Sequence, residues 1–317
     1  MSTSVAAMPT PSVELVEDTD APWRRSWWAN LLAAAKVPRG AAGIVLAAIP
    51  FATAFIGPLF LPHSPTAFVT IPFSHPNGSA LLGGDQLGRD VLSRLLDGGR
   101  ALLIMTILST CLAVGAGTIA GMSAAYLGTW WDDAIMRSVD VLLSFPQLIL
   151  ALLFISVVGP KAWLIVVAVG LSQTPGVTRV MRGATLRIAD REFVKAAELQ
   201  GTSHWKILWH EIRPSVTSPL MVEAGLRFTF SMMAIAALGY LGLGQPPPTP
   251  NWGYMISENS IGIQQNPWAV VAPLVLIAAL TVGINLYTDA FARVSMGINR
   301  RLREPSLIPL LDGRPVK

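Results

Sequence analysis

Six long stretches of this sequence contain no charged residue, and they constrain its fold more than any other feature. The stretches are Ile44 to Leu61, Ala101 to Tyr126, Val141 to Val158, Ala162 to Thr178, Phe228 to Gly244 and Pro267 to Thr288. An α-helix needs about twenty apolar residues to cross the roughly 30 Å hydrocarbon layer of a bilayer. One Lys, Arg or Asp at the centre of such a helix costs about 2.5–3.5 kcal/mol. The sequence therefore predicts an all-α, polytopic membrane protein with about six transmembrane helices.

Composition supports this prediction. Hydrophobic residues make up 52% of the chain and charged residues 13%, whereas soluble domains carry about 25% charged residues. So few charges leave too little polar surface to cover a water-soluble particle. The net charge of +4 is too small and scattered to indicate a nucleic-acid partner. The single cysteine, Cys111, excludes an intramolecular disulfide, and the four dispersed histidines predict no metal site.

The positions of Lys and Arg predict the orientation of the spans. These residues concentrate before the first span, between the fourth and fifth spans, and after the sixth. An even number of spans places these regions on one side, which the positive-inside rule identifies as cytoplasmic. The loops 62–98 and 245–266 then face outward. The first of them interleaves arginines with aspartates that we expect to pair locally: Arg89, Arg94 and Arg100 with Asp85, Asp90 and Asp97.

These boundaries divide the chain into successive parts. We predict a cytoplasmic head (1–40), a first transmembrane helix (41–61), an outer loop (62–98), a five-helix core (99–291) with a cytoplasmic loop at 179–219, and a cytoplasmic tail (292–317). The head contains an aromatic and basic cluster at 23–28, a composition typical of a juxtamembrane anchor.

Glycines and prolines within the spans predict packing and bending. Gly117 and Gly121, with Ala125 on the same helix face, favour the close approach of another helix. Pro146 and Pro273 are expected to kink the third and sixth spans.

Polar residues in the spans give further expectations. Polar side chains there tend to face the bundle interior or water, and three are candidates for a substrate path: Gln147, Gln173 and Asn285. Glu223 and Arg227 have the spacing and order of a favourable helical ion pair. We therefore predict a structural role for this pair in preference to a role as a gate. Asp140, at the cytoplasmic end of the third span, is expected to pair with Arg137.

The basic loop after the fourth span predicts two short helices at an angle. Asp190 is placed to cap the first helix, whose opening turn holds Glu192 at the positive end of the helix dipole. A small apolar face follows at helical spacing: Phe193, Ala196 and Ala197. Gly201 suits the left-handed conformation that ends a helix.

The second short helix begins at Thr202 or Ser203. Its predicted apolar stripe is Trp205, Leu208 and Ile212, and Pro214 is expected to end it. Exposed alanines on a short amphipathic helix suit docking into a groove of another protein, and a helix lying on the lipid surface is the alternative. No lysine follows a Gly-x-x-x-x-Gly pattern, so if the protein pumps a solute, the energy has to come from a partner or an ion gradient.

The run Lys195-Ala196-Ala197-x-x-x-Gly201, with Pro214 thirteen residues after the glycine, resembles the Glu-Ala-Ala loop of ABC importer permeases. Lys195 stands where that family usually has Glu, and Arg213 where it usually has Leu. The resemblance implies a coupling helix that sits in a cleft of an ATPase subunit. The residues it assigns to docking are Glu192, Ala196, Ala197, Gly201, Thr202, Ser203 and His204.

Three further motifs resemble the dipeptide, oligopeptide and nickel permeases in particular. They are GDQLGRDVLSRLLDGGR (Gly84 to Arg100), RSVDVLLSFP (Arg137 to Pro146), and YLGLG (Tyr240 to Gly244) running into PPTPNWG (Pro247 to Gly253). The departures are Ile235, where many relatives have Glu, and the absence of Asp-Pro-Arg after Asp289.

This resemblance implies a type I ABC importer permease fold and a C-type subunit in a bacterial inner membrane, with both termini cytoplasmic. The partners it implies are a related B-type permease, two ATPases that bind ATP and Mg, and an extracytoplasmic solute-binding protein. This chain would hold no cofactor and no catalytic residue, and its cargo would be di- or oligopeptides.

Nickel or another small solute is the alternative cargo within the same architecture. A secondary transporter driven by an ion gradient is a different class, which usually places ionisable residues near the midplane and two repeats in one chain. A membrane enzyme is another, which should show convergent catalytic residues at a bilayer interface. Charge-free span centres argue against the first, and the sequence shows no such residues for the second.

Overall fold

The computed structural model describes residues 27–244 and 248–295, without the side chains of Trp27 and Thr129. Its helices are α1 (Trp27–Lys36), α2 (Pro38–Phe55), α3 (Val91–Asp97), α4 (Gly99–Leu127), α5 (Thr129–Leu143), α6 (Gln147–Val158), α7 (Ala162–Ala189), α8 (Glu192–Leu199), α9 (His204–Ile207), α10 (Arg213–Ser215), α11 (Thr217–Tyr240), α12 (Trp252–Asn259) and α13 (Trp268–Ser295). A π turn (Leu208–Ile212) joins α9 to α10, and two 3-10 turns follow α2 and α12. Within these described residues, β-structure is confined to two isolated bridges in the loop before α3.

Five segments are long and apolar enough to cross a membrane: α2, α3 with α4, α7, α11 and α13. α5 and α6, with 15 and 12 residues, are long enough for a sixth crossing only as a pair, and they meet at an angle of 83°. The break falls just before α6, where Pro146 leaves the helical conformation (φ −57°, ψ 126°). The predicted all-α bundle of about six spans is confirmed. The prediction of a single helix from Val141 to Val158 for the third span is wrong, because the chain breaks completely at Pro146 where only a kink was expected.

The long helices run in two opposite directions. Ser109 of α4 donates a 3.1 Å hydrogen bond to the carbonyl oxygen of Val166 on α7, and further along Gly121 lies against Thr178, so α4 and α7 run parallel. α13 runs the same way, whereas α2 and α11 run in the opposite direction. One end of the bundle carries α8, α9 and α10 and is called the α8 end. The other carries α12 and is called the α12 end.

Glycines bring two pairs of helices into close contact. A Cβ atom at Gly117 would lie 2.5 Å from the Cβ of Val177, and one at Gly121 would lie 2.5 Å from a backbone oxygen of α7. The predicted packing role of this glycine step is therefore confirmed. α2 and α13 meet in the same way, since a Cβ at Gly43 would lie 2.6 Å from the carbonyl oxygen of Gly283. This second crossing was not predicted.

A buried group of charges fixes the loop before α3 at the α12 end. Arg89 and Arg94 both form ion pairs with Asp85, as the expected local pairing requires. Both also reach Glu258 of α12, at 3.1 and 2.5 Å. Burial raises the pKa of Glu258 above its usual range, although Arg94 and Arg89 favour the charged form. Asp90 instead caps α3 by accepting hydrogen bonds from two backbone amides.

α12 is held against the start of α4 by a buried tryptophan. The indole nitrogen of Trp252 donates a 2.8 Å hydrogen bond to the carbonyl oxygen of Leu95, and its ring occupies the space beside Gly99. Asn251 caps α12 by accepting a hydrogen bond from the amide of Gly253. The Asn-Trp-Gly end of the motif Pro247 to Gly253 thus anchors a helix, and residues 245–247 lie outside the described part of the chain.

Exposed tryptophans mark both ends of the bundle. Those at the α8 end are Trp28, Trp130, Trp131, Trp205 and Trp209, and those at the α12 end are Trp163 and Trp268. Tryptophan is enriched where a membrane meets water. From Trp163, a rise of 1.5 Å per residue places Ala184 about 30 Å along α7, which matches the hydrocarbon thickness. The two groups therefore indicate where the bilayer begins and ends.

Candidate coupling site

α7 carries the chain beyond the bilayer at the α8 end. It has 28 residues, which at 1.5 Å each extend about 42 Å, against roughly 30 Å for the hydrocarbon layer. Two arginines near its end bind α5. Arg182 donates two hydrogen bonds of 2.5 Å to Asp132, and Arg179 lies 2.5 Å from Asp140. The predicted pairing of Asp140 with Arg137 is wrong, because the long arginine of a neighbouring helix reaches Asp140 instead.

α8 follows α7 after a sharp turn. Its cap position is Arg191, which makes no side-chain capping bond, so the prediction that Asp190 caps the helix is wrong. Asp190 ends α7 and lies 3.9 Å from Lys195, with both side chains exposed. Val194 is fully buried and packs into a cluster with Ile207 and other apolar residues of α7 and of the second segment, which is made of α9, the π turn and α10. α8 is thus attached to the bundle along one side only.

Gly201 ends α8 in the conformation that the sequence predicts. Its φ is +75°, its amide donates to the carbonyl oxygen of Glu198, and the amide of Thr202 donates to that of Ala197. These two bonds are the Schellman arrangement, which satisfies the free carbonyls at a helix end. A Cβ at Gly201 would meet nothing within 4 Å. The requirement for glycine here is therefore one of backbone conformation, not of space.

The second segment begins at Ser203, whose backbone is extended. His204 follows, with its Nδ1 3.4 Å from the hydroxyl of Tyr126 at the end of α4. Trp205 is exposed and does not belong to the buried stripe. The stripe consists of Ile207, Leu208 and Ile212. The prediction for Trp205 is wrong because the π turn changes the helical register.

Pro214 does not end the second segment, contrary to expectation. It lies in α10 directly after the π turn, and the chain remains helical through Ser215. Val216 is buried in the same apolar cluster, and α11 starts directly after it.

The outward side of α8 has no partner among the described residues. Phe193 and Ala196 are exposed, Leu199 is 90% exposed, and Ala197 is half-buried against the apolar cluster. An open cleft of about 690 Å³ adjoins the start of α8. It is lined by Ile188, Asp190, Arg191, Glu192, Phe193 and Ser215. An apolar helix face beside a charged cleft offers groups for binding another protein.

A second polar feature lies between the spans. The Nε of Arg227 donates a 2.7 Å hydrogen bond to Glu223, so the predicted pair is confirmed. The Nη1 of Arg227 also donates a 2.9 Å hydrogen bond to the side-chain oxygen of Gln173 on α7, and its guanidinium lies 5.5 Å from the ring of Phe230. Glu223 and Gln173 are buried. The triad therefore joins α7 to α11.

The three path candidates occupy separate places. Gln173 belongs to the triad, Gln147 is half-buried at the start of α6, and Asn285 is half-buried within α13. The link from Gln173 to Arg227 was not predicted, although an arginine within a span is itself a signal that a polar partner lies on a neighbouring helix.

Comparison with known proteins gives a consistent family. Residues 114–295 match the family of the binding-protein-dependent transport system inner membrane component. The chain is 34% identical to the dipeptide transport system permease of Alkalihalophilus pseudofirmus, over 68% of this chain and 70% of that protein. It is 32% identical to the glutathione transport system permease of Pectobacterium atrosepticum, over 84% and 88%. It is 33% identical to the di/tripeptide transport system permease of Pseudomonas aeruginosa, over 74% and 80%.

Proposed function

Because this chain belongs to the family of binding-protein-dependent transport system inner membrane components, we propose that it lines half of a peptide path through a bacterial inner membrane, in an ATP-driven importer. The observation that carries this proposal is α8, a helix fixed to the bundle through Val194 and ended at Gly201, with an outward face that has no partner among the described residues.

The energy for transport comes from partner subunits. α8 docks in a cleft of an ATPase that binds ATP and Mg, and Ala196 is the centre of the contact. Glu192 lies in the first turn of α8, beside the open cleft of this chain. Gly201, Thr202, Ser203 and His204 form the exit of the docking helix, and Ala197 fixes its inner side. Two ATPases, a B-type permease and an extracytoplasmic solute-binding protein complete the importer. This chain contributes no catalytic residue.

Movement passes from α8 to the spans through α7. Arg179 and Arg182 tie α5 to α7, and Arg227 ties α11 to it. A shift of α8 driven by ATP would therefore move these helices together. Rigid-body motion of packed elements is a known mode of switching, and here it reopens the path to the opposite side.

The α8 end faces the cytoplasm in this proposal. The described cations at that end include Lys36, Arg39, Lys195 and Lys206, as the positive-inside rule requires. The head (1–40), the loop 179–219 and the tail (292–317) are then cytoplasmic, and the outer loop (62–98) receives the solute-binding protein.

Peptides are the proposed cargo because three of the relatives are named as permeases for dipeptides, di- and tripeptides, and glutathione. Gln147 and Asn285 are the proposed path residues, since their side chains are half-buried. The proposal leaves Gln173 to its structural bond with Arg227.

The test is Ala196→Trp in the full importer reconstituted with its ATPases and solute-binding protein. We expect peptide uptake and substrate-stimulated ATP hydrolysis to fall at least tenfold while membrane insertion persists. The matched control is Ala162→Trp, an exposed position at the other end of α7, which should leave both activities unchanged. Normal uptake by Ala196→Trp would refute the docking role of α8.

A further inference from the structure

The segment 204–215, made of α9, the π turn and α10, has two unlike sides. Ile207, Leu208 and Ile212 are buried against α4, α7 and α8. The opposite side is exposed and combines aromatic rings with cations: Trp205, Lys206, Trp209, His210 and Arg213. We call this exposed side the Trp-basic surface. It is separate from the outward side of α8, which offers Phe193, Ala196 and Leu199 for the proposed docking.

The Trp-basic surface lies at the level where the bilayer ends. Its buried side packs on Met122 near the end of α4 and on Met181 and Ala184 of α7. Ala184 lies about 30 Å along α7 from the exposed Trp163 of the α12 end, which is the thickness of the hydrocarbon layer. The membrane-spanning helix α11 also starts at Thr217, directly after the segment. The segment therefore lies at the depth expected for the headgroups of the adjacent leaflet.

The side chains of the surface match a headgroup layer in chemistry. The guanidinium of Arg213 lies 4.8 Å from the centre of the Trp209 ring, a cation–π geometry that holds it beside that ring. His210 is oriented by a 3.2 Å contact between its Nδ1 and the carbonyl oxygen of Lys206, one turn away. The acid within the segment, Glu211, is half-buried. The exposed charge is therefore positive, and it is complementary to phosphate.

We propose that the Trp-basic surface binds anionic phospholipid headgroups of the leaflet at the α8 end. Trp205 and Trp209 sit among the upper acyl carbons and glycerol groups, and Lys206 and Arg213 pair with phosphates. The lipid contact holds the base of the loop at a fixed depth, so that force applied to α8 turns α7 and does not push the loop into the bilayer.

The experiment uses the complete importer in nanodiscs that contain brominated lipid, which quenches tryptophan at short range. Two otherwise identical preparations carry brominated phosphatidylglycerol or brominated phosphatidylcholine. Because the chain has ten tryptophans, the signal of this surface is the difference between the wild type and Trp205→Phe/Trp209→Phe. We expect both lipids to quench that difference signal. The mole fraction needed for the same quenching should be about fivefold lower, or lower still, for phosphatidylglycerol than for phosphatidylcholine, since each cation near an anionic surface contributes roughly that factor.

The variant Lys206→Gln/Arg213→Gln should remove the preference for phosphatidylglycerol and keep the quenching. Lys161→Gln is the matched control, an exposed cation next to Trp163 at the α12 end, and it should keep the preference. An unquenched difference signal in the complex would mean that protein, an ATPase or the second permease, covers the surface, and it would overturn the proposal. Equal quenching by the two lipids in the wild type would overturn it as well. Both readouts are independent of peptide uptake, so they fail separately from the proposed function.

Discussion

The guanidinium of Arg227 donates a 2.9 Å hydrogen bond to the side-chain oxygen of Gln173, and this bond links α11 to α7 within the spans. The same guanidinium binds Glu223, whose side chain is 5% exposed. A buried ion pair contributes little when compared with an apolar pair, but the loss of one partner leaves an uncompensated charge. Replacing one member of the pair should therefore destabilise the protein far more than replacing both.

Arg227→Met should destabilise the protein by about 3–5 kcal/mol, because it leaves the carboxylate of Glu223 buried without a partner. Arg227→Met combined with Glu223→Gln should recover most of that loss. The measurement is thermal unfolding of the purified importer in nanodiscs. Equal destabilisation by the single and double variants would show that the pair acts through packing and not through its charges.

The crossing of α4 and α7 should respond to a single methyl group. A Cβ at Gly121 would lie 2.5 Å from the carbonyl oxygen of Thr178, so Gly121→Ala has to separate the helices and should cost about 1–3 kcal/mol. Gly115 lies on the same helix with nothing within 4 Å of a built Cβ. Gly115→Ala should therefore leave the melting temperature unchanged or raise it, and similar losses in both variants would contradict the packing role.

The spans and their order follow from the sequence because charge is excluded from the bilayer wherever it lies along the chain. The ending of α8 at Gly201 was also predictable, since glycine adopts the left-handed conformation by its own nature and needs no partner far away in the sequence. Partners far apart in sequence were not predictable. Glu258 reaches Arg94, and Gly43 meets Gly283, only because of how the helices cross.

Trp205 shows a second kind of failure. An unbroken α-helix would place it on the same face as Leu208 and Ile212, and the prediction assumed such a helix. The π turn at Leu208–Ile212 widens the helix, and the buried stripe begins at Ile207 instead. No residue in the turn predicts the change of register.

Substitutions at Gly201 should rank by backbone preference and not by size. The position has φ +75° and open space around a built Cβ. Asn enters the left-handed region more readily than other residues with side chains, and β-branched residues enter it least. Substrate-stimulated ATP hydrolysis by the reconstituted importer should thus decrease in the order Gly, Asn, Ala, Val. If Val were tolerated as well as Asn, α8 would not need the Schellman ending.

Glu258 should give the α12 end of the protein a stability that depends on pH. Burial raises its pKa in the folded protein above the value of 4.5 that it has without the fold, so the folded state binds its proton more tightly than the unfolded state does. The stability that this proton contributes is fully present below pH 4.5 and is lost as pH rises through the raised value. Glu258→Gln removes the titration and retains a similar shape. Melting temperatures of the two proteins, measured between pH 4 and 8, should show the wild type losing stability relative to Glu258→Gln as pH rises. The opposite slope would mean that the attraction of Arg89 and Arg94 outweighs burial. The charged form of Glu258 would then stabilise the cluster.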